Sequence, residues 1–389
     1  SAAAPCLALL ALFLAAWSRW LAWQTAATPF PPDAELFRSV ASAGGGWYAT
    51  AREPLFVWIL RAFFAALHPS QEAARFASML IGVAFVGAVY DLGRRLFGTA
   101  TGLVAAFFLA VHPDLSALSV DGLRDELFAL LAALFFRALL PDRGVPGAAR
   151  TAALAAAAAG IGLTRMNALA AVAVLLVFFA WRRSWRWTRV AVPLVAAVLL
   201  LLPYIAYCRA RYGDPLYALN VYATGFRNME FGGQPGFPRR EAVARNLFVG
   251  PNTTTFGYIF GLHTFGEVLR FMVRGSWRAF LGYWASTPGF FPGATSDAFW
   301  FYLAGIPALL FSWRARRIRF RRRGWELALA VAVFFGPVAF LAGVSAFRLD
   351  WRIVSFVLIA YAIAAARLFA RAIEILEPPR QRREGRSSR

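Results

Sequence analysis

The sequence predicts an all-helical polytopic membrane protein, a bundle of about ten spans with juxtamembrane helices on one side. Three observations carry this. Of 389 residues, 60% are hydrophobic and only 16% charged, a balance outside the range of water-soluble globules. Apolar runs close to spanning length recur along the chain. The basic residues fall in short clusters between those runs rather than along one stripe. The 41 basic residues are all arginine and give a formal charge of +21, but their distribution reads as topology signals, which excludes a nucleic-acid-binding surface. Two cysteines, Cys6 and Cys208, make no disulfide framework, and no Cys/His spacing suits zinc or haem. Ser1 runs directly into apolar sequence without a basic stretch, so no cleavable leader is read.

Taken in order, the expected spans are Cys6 to Trp23, Ala73 to Leu92, Thr99 to His112, Glu126 to Leu140, Thr151 to Leu163, Ala168 to Trp181, Val190 to Cys208, Ala298 to Trp313, Trp325 to Gly343 and Ile353 to Ala372. Pro54 to Leu67 is set apart because it is short, opens with proline and carries Arg61 at its middle; it reads as an interfacial helix. Counting it as a span would reverse everything after it. With it excluded, Arg94 and Arg95, Arg143 with Arg150, Arg182 to Arg186, Arg314 to Arg323 and the tail after Arg380 share one side, the cytoplasmic one. Twelve carboxylates, among them Asp33, Glu35, Glu53, Asp121, Asp125 and Asp350, fall on the opposite side, and no acid is expected inside a span.

Three units follow: residues 1–208, an N-terminal transmembrane module with a first external loop at 24–72; residues 209–297, an external segment; and residues 298–389, C-terminal spans and a basic cytoplasmic tail. Within the external segment, Phe226 to Thr255 is rich in Gly, Pro and Asn and is expected to be a loop. Thr264 to Trp284 sets apolar residues along one helical side and Arg270, Arg274 and Arg278 along another, the pattern of a helix at headgroup level or of one packed on the bundle.

Chemistry is expected on the external face. Pro31-Pro32-Asp33-Ala34-Glu35 sets two carboxylates together after the first span, where they could divide the work of base and electrostatic partner. Alternatively, Asp33 only caps a helix. Arg52-Glu53-Pro54 opens the interfacial helix, where an acid is ordinary capping chemistry. Asp121 to Glu126 crowds three acids around Arg124 at the mouth of a span, and the topology brings this loop to the face of Asp33. Arg165 lies in a very tight connection, where it needs either a phosphate or an acid for a partner. Arg348, Asp350 and Arg352 form a similar cluster before the last span. His68, His112 and His263 are isolated and read as surface or packing residues.

The succession of a first span, Pro-Asp-x-Glu, Gly44-Gly45-Gly46-Trp47-Tyr48, Arg52-Glu53-Pro54, Gly93-Arg94-Arg95-Leu96-Phe97-Gly98, the Arg124-Asp125 loop, Leu163-Thr164-Arg165, Leu202-Pro203-Tyr204 and Tyr212-Gly213-Asp214-Pro215 resembles a known family. It looks like the polyprenyl-phosphate-dependent glycosyltransferases of the GT-C fold, in the branch with protein O-mannosyltransferases and lipid A aminoarabinose transferases. The resemblance runs from Leu7 to about Tyr217.

It implies an inverting transfer of a sugar from a polyprenyl-phosphate donor to a lipid, glycan or protein acceptor, at the external, periplasmic face of a bacterial inner membrane. By resemblance Asp33 serves the acceptor hydroxyl and Asp125 assists, with Glu35 as a further catalytic candidate. Arg52, Glu53, Arg124, Arg165, Arg348 and Arg352 are the substrate-binding candidates, with arginine at the donor phosphate. The spacing Asp-Ala-Glu departs from the adjacent Asp-Glu of many members, which leaves the role of Glu35 open. Some members hold a divalent metal here; Glu53 fits one ligand position and no histidine completes it, so metal dependence stays open. Membrane lipids are expected partners and nucleic acid is not. The competing classes are a polytopic transporter or lipid flippase and a lipid-linked glycan polymerase or ligase; a transporter calls for ionisable residues near the midplane and related halves, neither of which the sequence displays.

Overall fold

The computed structural model describes residues 3–26, 30–43, 46, 48, 50, 52–140, 146–282, 320–343 and 356–376. Among these the secondary structure is entirely helical. The sixteen described α-helices are α1 (Ala3–Thr25), α2 (Pro32–Ser42), α3 (Leu55–Ala66), α4 (Gln71–Phe97), α5 (Thr99–Ala110), α6 (Pro113–Val120), α7 (Asp125–Leu139), α8 (Ala148–Thr164), α9 (Leu169–Arg183), α10 (Thr188–Tyr212), α11 (Tyr217–Phe231), α12 (Arg240–Arg245), α13 (Thr255–Gly261), α14 (Phe265–Gly282), α15 (Phe320–Gly343) and α16 (Leu358–Leu376). A 3-10 turn, Met166–Ala168, leads into α9.

The expected span Ala298 to Trp313 lies outside the described residues, as do Arg348, Asp350 and Arg352. Among the described residues, four helices are long and apolar enough to cross a membrane: Ala4–Thr25, Gln71–Phe97, Met166–Arg183 and Thr188–Tyr212. A fifth arises if α5 and α6 count as one broken span. The protein is an integral membrane protein, and α7, α8, α15 and α16 complete a bundle of unequal helices around α4. One apolar core joins α1, α4, α5, α7, α8, α9, α10, α15 and α16.

Local chemistry sets the breaks. Ser70 accepts from the Ala73 N–H and caps α4. Gly98, at φ +100°, turns the chain directly into α5. The two helices then touch backbone to backbone, because a Cβ on Gly102 would sit 2.6 Å from the Tyr90 carbonyl oxygen. The expected span Thr99 to His112 is α5, which stops at Ala110, and beyond it α6 starts at Pro113, bent by 62° from α5. Proline at the first position of α6 accounts for the break, since its ring cannot continue the preceding helix. The non-helical stretch between α6 and α7 is therefore only residues 121–124.

Pro54 to Leu67 is a helix as expected, α3, but much of its apolar face is covered by protein. Phe56, Val57, Leu60 and Phe64 are buried against Phe30, Ala34 and Phe37 of the α2 region and against the start of α4. Together α2 and α3 form a cap over one end of the bundle. The expected loop Phe226 to Thr255 is partly helical. The helix α11 runs to Phe231 because Arg227 and Asn228 satisfy the carbonyls of the segment that folds back on it: Arg227 donates to the Pro251 carbonyl at 2.8 Å, and Asn228 to Leu247 and Val249, both at 2.8 Å.

Acids are not confined to one face. Asp91 lies inside α4, where Arg94, Arg95 and Arg137 surround it. This knot belongs to the arginine-rich end, where Arg183 also pairs with Glu326 at 3.0 Å. The apolar count of the surrounding span hid Asp91, and the three neighbouring arginines balance this half-buried carboxylate.

Candidate active site

At the opposite end, three short connections are laced into one unit. The first precedes α3 and carries Arg52 and Glu53; the second precedes α7 and carries Arg124 and Asp125; the third joins α8 to the 3-10 turn and carries Arg165. Glu53 pairs with Arg124, and its other oxygen accepts the Met166 N–H at 3.1 Å. Arg124 also donates to the Thr164 carbonyl at 2.9 Å and lies 5.5 Å from the Phe37 ring of α2. Arg165 pairs with Asp125 and lies 5.3 Å from the Phe128 ring. Each of these five charged residues is buried. Buried charges are costly unless paired; Glu53 with Arg124 and Asp125 with Arg165 pair between connections far apart in sequence, while Arg52 pairs with Asp33 of α2.

Asp33, at the start of α2, joins the edge of this unit. Its carboxylate is 3.6 Å from Arg52, and its side chain is 53% exposed while that of Arg52 is 10% exposed. Asp33 is thus the open carboxylate of the group, facing outward with a mostly buried guanidinium behind it. Pro32 at the helix start fixes the entry of α2. The capping alternative is not realised, for no side-chain cap bond forms at the α2 N-terminus.

Glu35 takes another direction. It is bound by Arg38 in its own helix, and that bond holds its carboxyl below the usual range. It is not among the laced residues. For Glu53, burial opposes ionisation, but Arg124 and the Met166 N–H outweigh it and hold the carboxyl below its ordinary value. Both Glu53 oxygens are therefore engaged, one by a cation, which is a poor setting for a divalent ion. Among the described residues no three His, Cys, Asp or Glu side chains gather around one point. The described residues of this site do not fit a metal, and no step below uses one.

The second loop is shaped by Gly122. Its φ of +70° is open to glycine, and the Phe30 ring lies 3.0 Å from where a Cβ would stand. Behind it, Arg75 donates to the Val120 carbonyl at 2.8 Å and lies 4.6 Å from the same Phe30 ring. Sequence reasoning missed Arg75. It also missed Arg19, which is fully buried in α1 and pairs at 3.4 Å with Glu126, the residue after Asp125. An arginine inside the first apolar run, between Ser18 and Trp20, was the available signal. Consecutive acids at the head of α7 thus hold arginines on different elements, Asp125 toward the α8 turn and Glu126 toward α1.

The fold is that of the GT-C membrane glycosyltransferases. It is similar to the crystal structure of ArnT from Cupriavidus metallidurans bound to undecaprenyl phosphate, with a TM-score of 0.58 and 17% identity over 92% of this chain and 59% of that one. The chain therefore spans a little under three fifths of that protein. In addition, residues 51–207 match the family model for dolichyl-phosphate-mannose-protein mannosyltransferase, a stretch that contains Arg52, Glu53, Arg124, Asp125 and Arg165. The apo oligosaccharyltransferase of Archaeoglobus fulgidus aligns at a TM-score of 0.48 with 16% identity, over 95% of this chain and 52% of that one. No curated protein sequence matches the chain.

Proposed function

We propose that the protein is a glycosyltransferase that moves a sugar from a polyprenyl-phosphate donor to an acceptor hydroxyl at the external face of the membrane, with inversion at the anomeric carbon. The carrying observation is the division of roles within the laced site. Glu53 and Asp125 are buried in ion pairs and hold the architecture, whereas Asp33 is the exposed carboxylate beside a mostly buried arginine. The fold match to a protein bound to undecaprenyl phosphate supports a lipid-phosphate donor, and the family match over residues 51–207 supports the same class.

In this reading Asp33 takes the proton from the acceptor hydroxyl as its oxygen forms a bond to the anomeric carbon. The bond from that carbon to the phosphate oxygen breaks on the far side, and its electron pair leaves with the lipid phosphate. A single displacement inverts the anomeric centre. Arg52, 3.6 Å from Asp33, orients that carboxylate toward the acceptor hydroxyl. Arg124 and Arg165 act mainly by keeping the three connections in register, because their guanidinium groups are turned into Glu53, the Thr164 carbonyl and Asp125. The acceptor is a lipid, a glycan or a protein that reaches the same face.

The test is turnover of a radiolabelled undecaprenyl-phosphate sugar by the full chain reconstituted in liposomes. Asp33→Asn keeps shape and removes the base, so turnover should fall about 100-fold or more with the fold intact. A folded Asp33→Asn protein with full turnover refutes the assignment.

A further inference from the structure

Beyond the laced site, the external segment carries a surface that the proposed reaction does not use. On α14, Phe265, Leu269 and Val273 recur every four residues and form one exposed line, with Phe265 77% and Val273 63% exposed. On the neighbouring α13, Phe256, 73% exposed, and Phe260 add exposed aromatic side chains. A different side of α14 faces the protein: Val268 is buried with Ala223, Tyr258 and Ile259, and Met272 packs against them. Arg270 and Arg274 are exposed on a third side, one helical turn apart. At 100° per residue these three sides follow one another around the helix, so the apolar line lies between the protein and the arginines.

Three such sides suit a helix lying flat in a leaflet. One side rests on the bundle, one dips into hydrocarbon, and one holds its cations at the headgroups. The sign of the surrounding charge selects the headgroup. Residues 209–282 contain nine arginines and four carboxylates. The acid on α14, Glu267, is turned back to its own helix start, accepting from the Thr264 N–H and hydroxyl at 2.8 Å each. The remaining charge on that side is positive. The helix α14 also packs on α15 of the bundle, and α10 of the same bundle exposes apolar side chains of its own, Val192, Val195, Val198 and Leu199.

We propose that α13 and α14 form an in-plane anchor that engages a lipid leaflet carrying anionic headgroups, with Phe256, Phe265, Leu269 and Val273 in the acyl region and Arg270 and Arg274 at the lipid phosphates. This surface is separate from the laced site, and its test does not depend on the chemistry assigned there.

The test is hydrogen exchange of the backbone over residues 255–274 in the full chain, held in nanodiscs of phosphatidylcholine alone or with phosphatidylglycerol added. Anionic discs should slow exchange, by about fivefold for each arginine and about thirtyfold for the two together, as expected for a basic residue near an anionic surface. Raising ionic strength in the unaltered protein should erase that difference, because headgroup charge is screened within about 10 Å at 0.1 M salt. Arg270→Gln with Arg274→Gln should remove the lipid dependence, and Arg270→Lys with Arg274→Lys should retain it. Phe265→Ser with Leu269→Ser should speed exchange in both kinds of disc. Equal exchange in the two disc types at low salt overturns the proposal. So does a salt-independent difference, and so does equal protection in detergent, which would mean that the face is covered by protein.

Discussion

Arg124 offers the sharpest test of the laced site as a physical object. Replacing it with leucine leaves the buried Glu53 carboxyl with only backbone N–H donors, among them that of Met166, in place of a cation. The same change leaves the Thr164 carbonyl without its arginine donor and removes the guanidinium beside Phe37. Removing one member of a buried pair costs about 3–5 kcal/mol, most of it from the stranded charge rather than from the contact itself. The cost should therefore fall when the stranded charge is neutralised. Glu53→Gln in the Arg124→Leu background should restore part of the loss, and the two single changes should couple by about 1–3 kcal/mol. The assay is reversible unfolding of the four proteins of this double-mutant cycle in bicelles, followed by circular dichroism. A loss below about 1 kcal/mol for Arg124→Leu, or additive single changes, would refute the claim that this pair holds the three connections together.

Four further outcomes follow from the same geometry. Because the folded-state carboxyl of Glu53 is held below its unfolded value near 4.5, its contribution to stability is present above that pH and lost as pH falls through the folded value; acid unfolding should flatten in Glu53→Gln, and an unchanged acid limb would count against the pairing. Gly122→Ala forces a side chain to φ +70° against Phe30 and should destabilise by about 1–3 kcal/mol, read as a lower melting temperature, whereas a neutral result would mean the loop relaxes freely. Arg165→Ala strands Asp125 and should lower thermal stability, with donor affinity in the surviving folded fraction nearly unchanged; a tenfold loss of donor affinity at normal stability would return Arg165 to the donor site. Cysteines placed at Gly98 and Ser184 should label only from the cytoplasm and one at Ser39 only from outside, and labelling of Gly98 and Ser39 from the same side would reject the topology.

The bundle was legible in the sequence because the bilayer imposes its constraint locally. A span must be apolar and of a certain length wherever it occurs, so α1, α4, α9 and α10 announce themselves residue by residue. Asp33, Glu53, Arg124, Asp125 and Arg165 could be drawn to one face by counting crossings, since each lies at the end of a run. Their pairing could not be read. Whether Arg165 meets a phosphate or an acid depends on whether residue 125 comes within reach of residue 165, and no local rule sets that distance. Glu35 shows the converse, being close to Asp33 in sequence yet claimed by Arg38 one turn on. Arg19 and Asp91 were hidden because hydropathy averages over a window, whereas each charge is made tolerable by its own partners, Glu126 on another helix for Arg19 and three arginines for Asp91. What the sequence determined alone is therefore the class of solvent, the helical architecture and the face on which charge collects. The tertiary structure decided which charge neutralises which, and so which carboxylate remains open, because burial and pairing are properties of positions in space that sequence spacing does not specify.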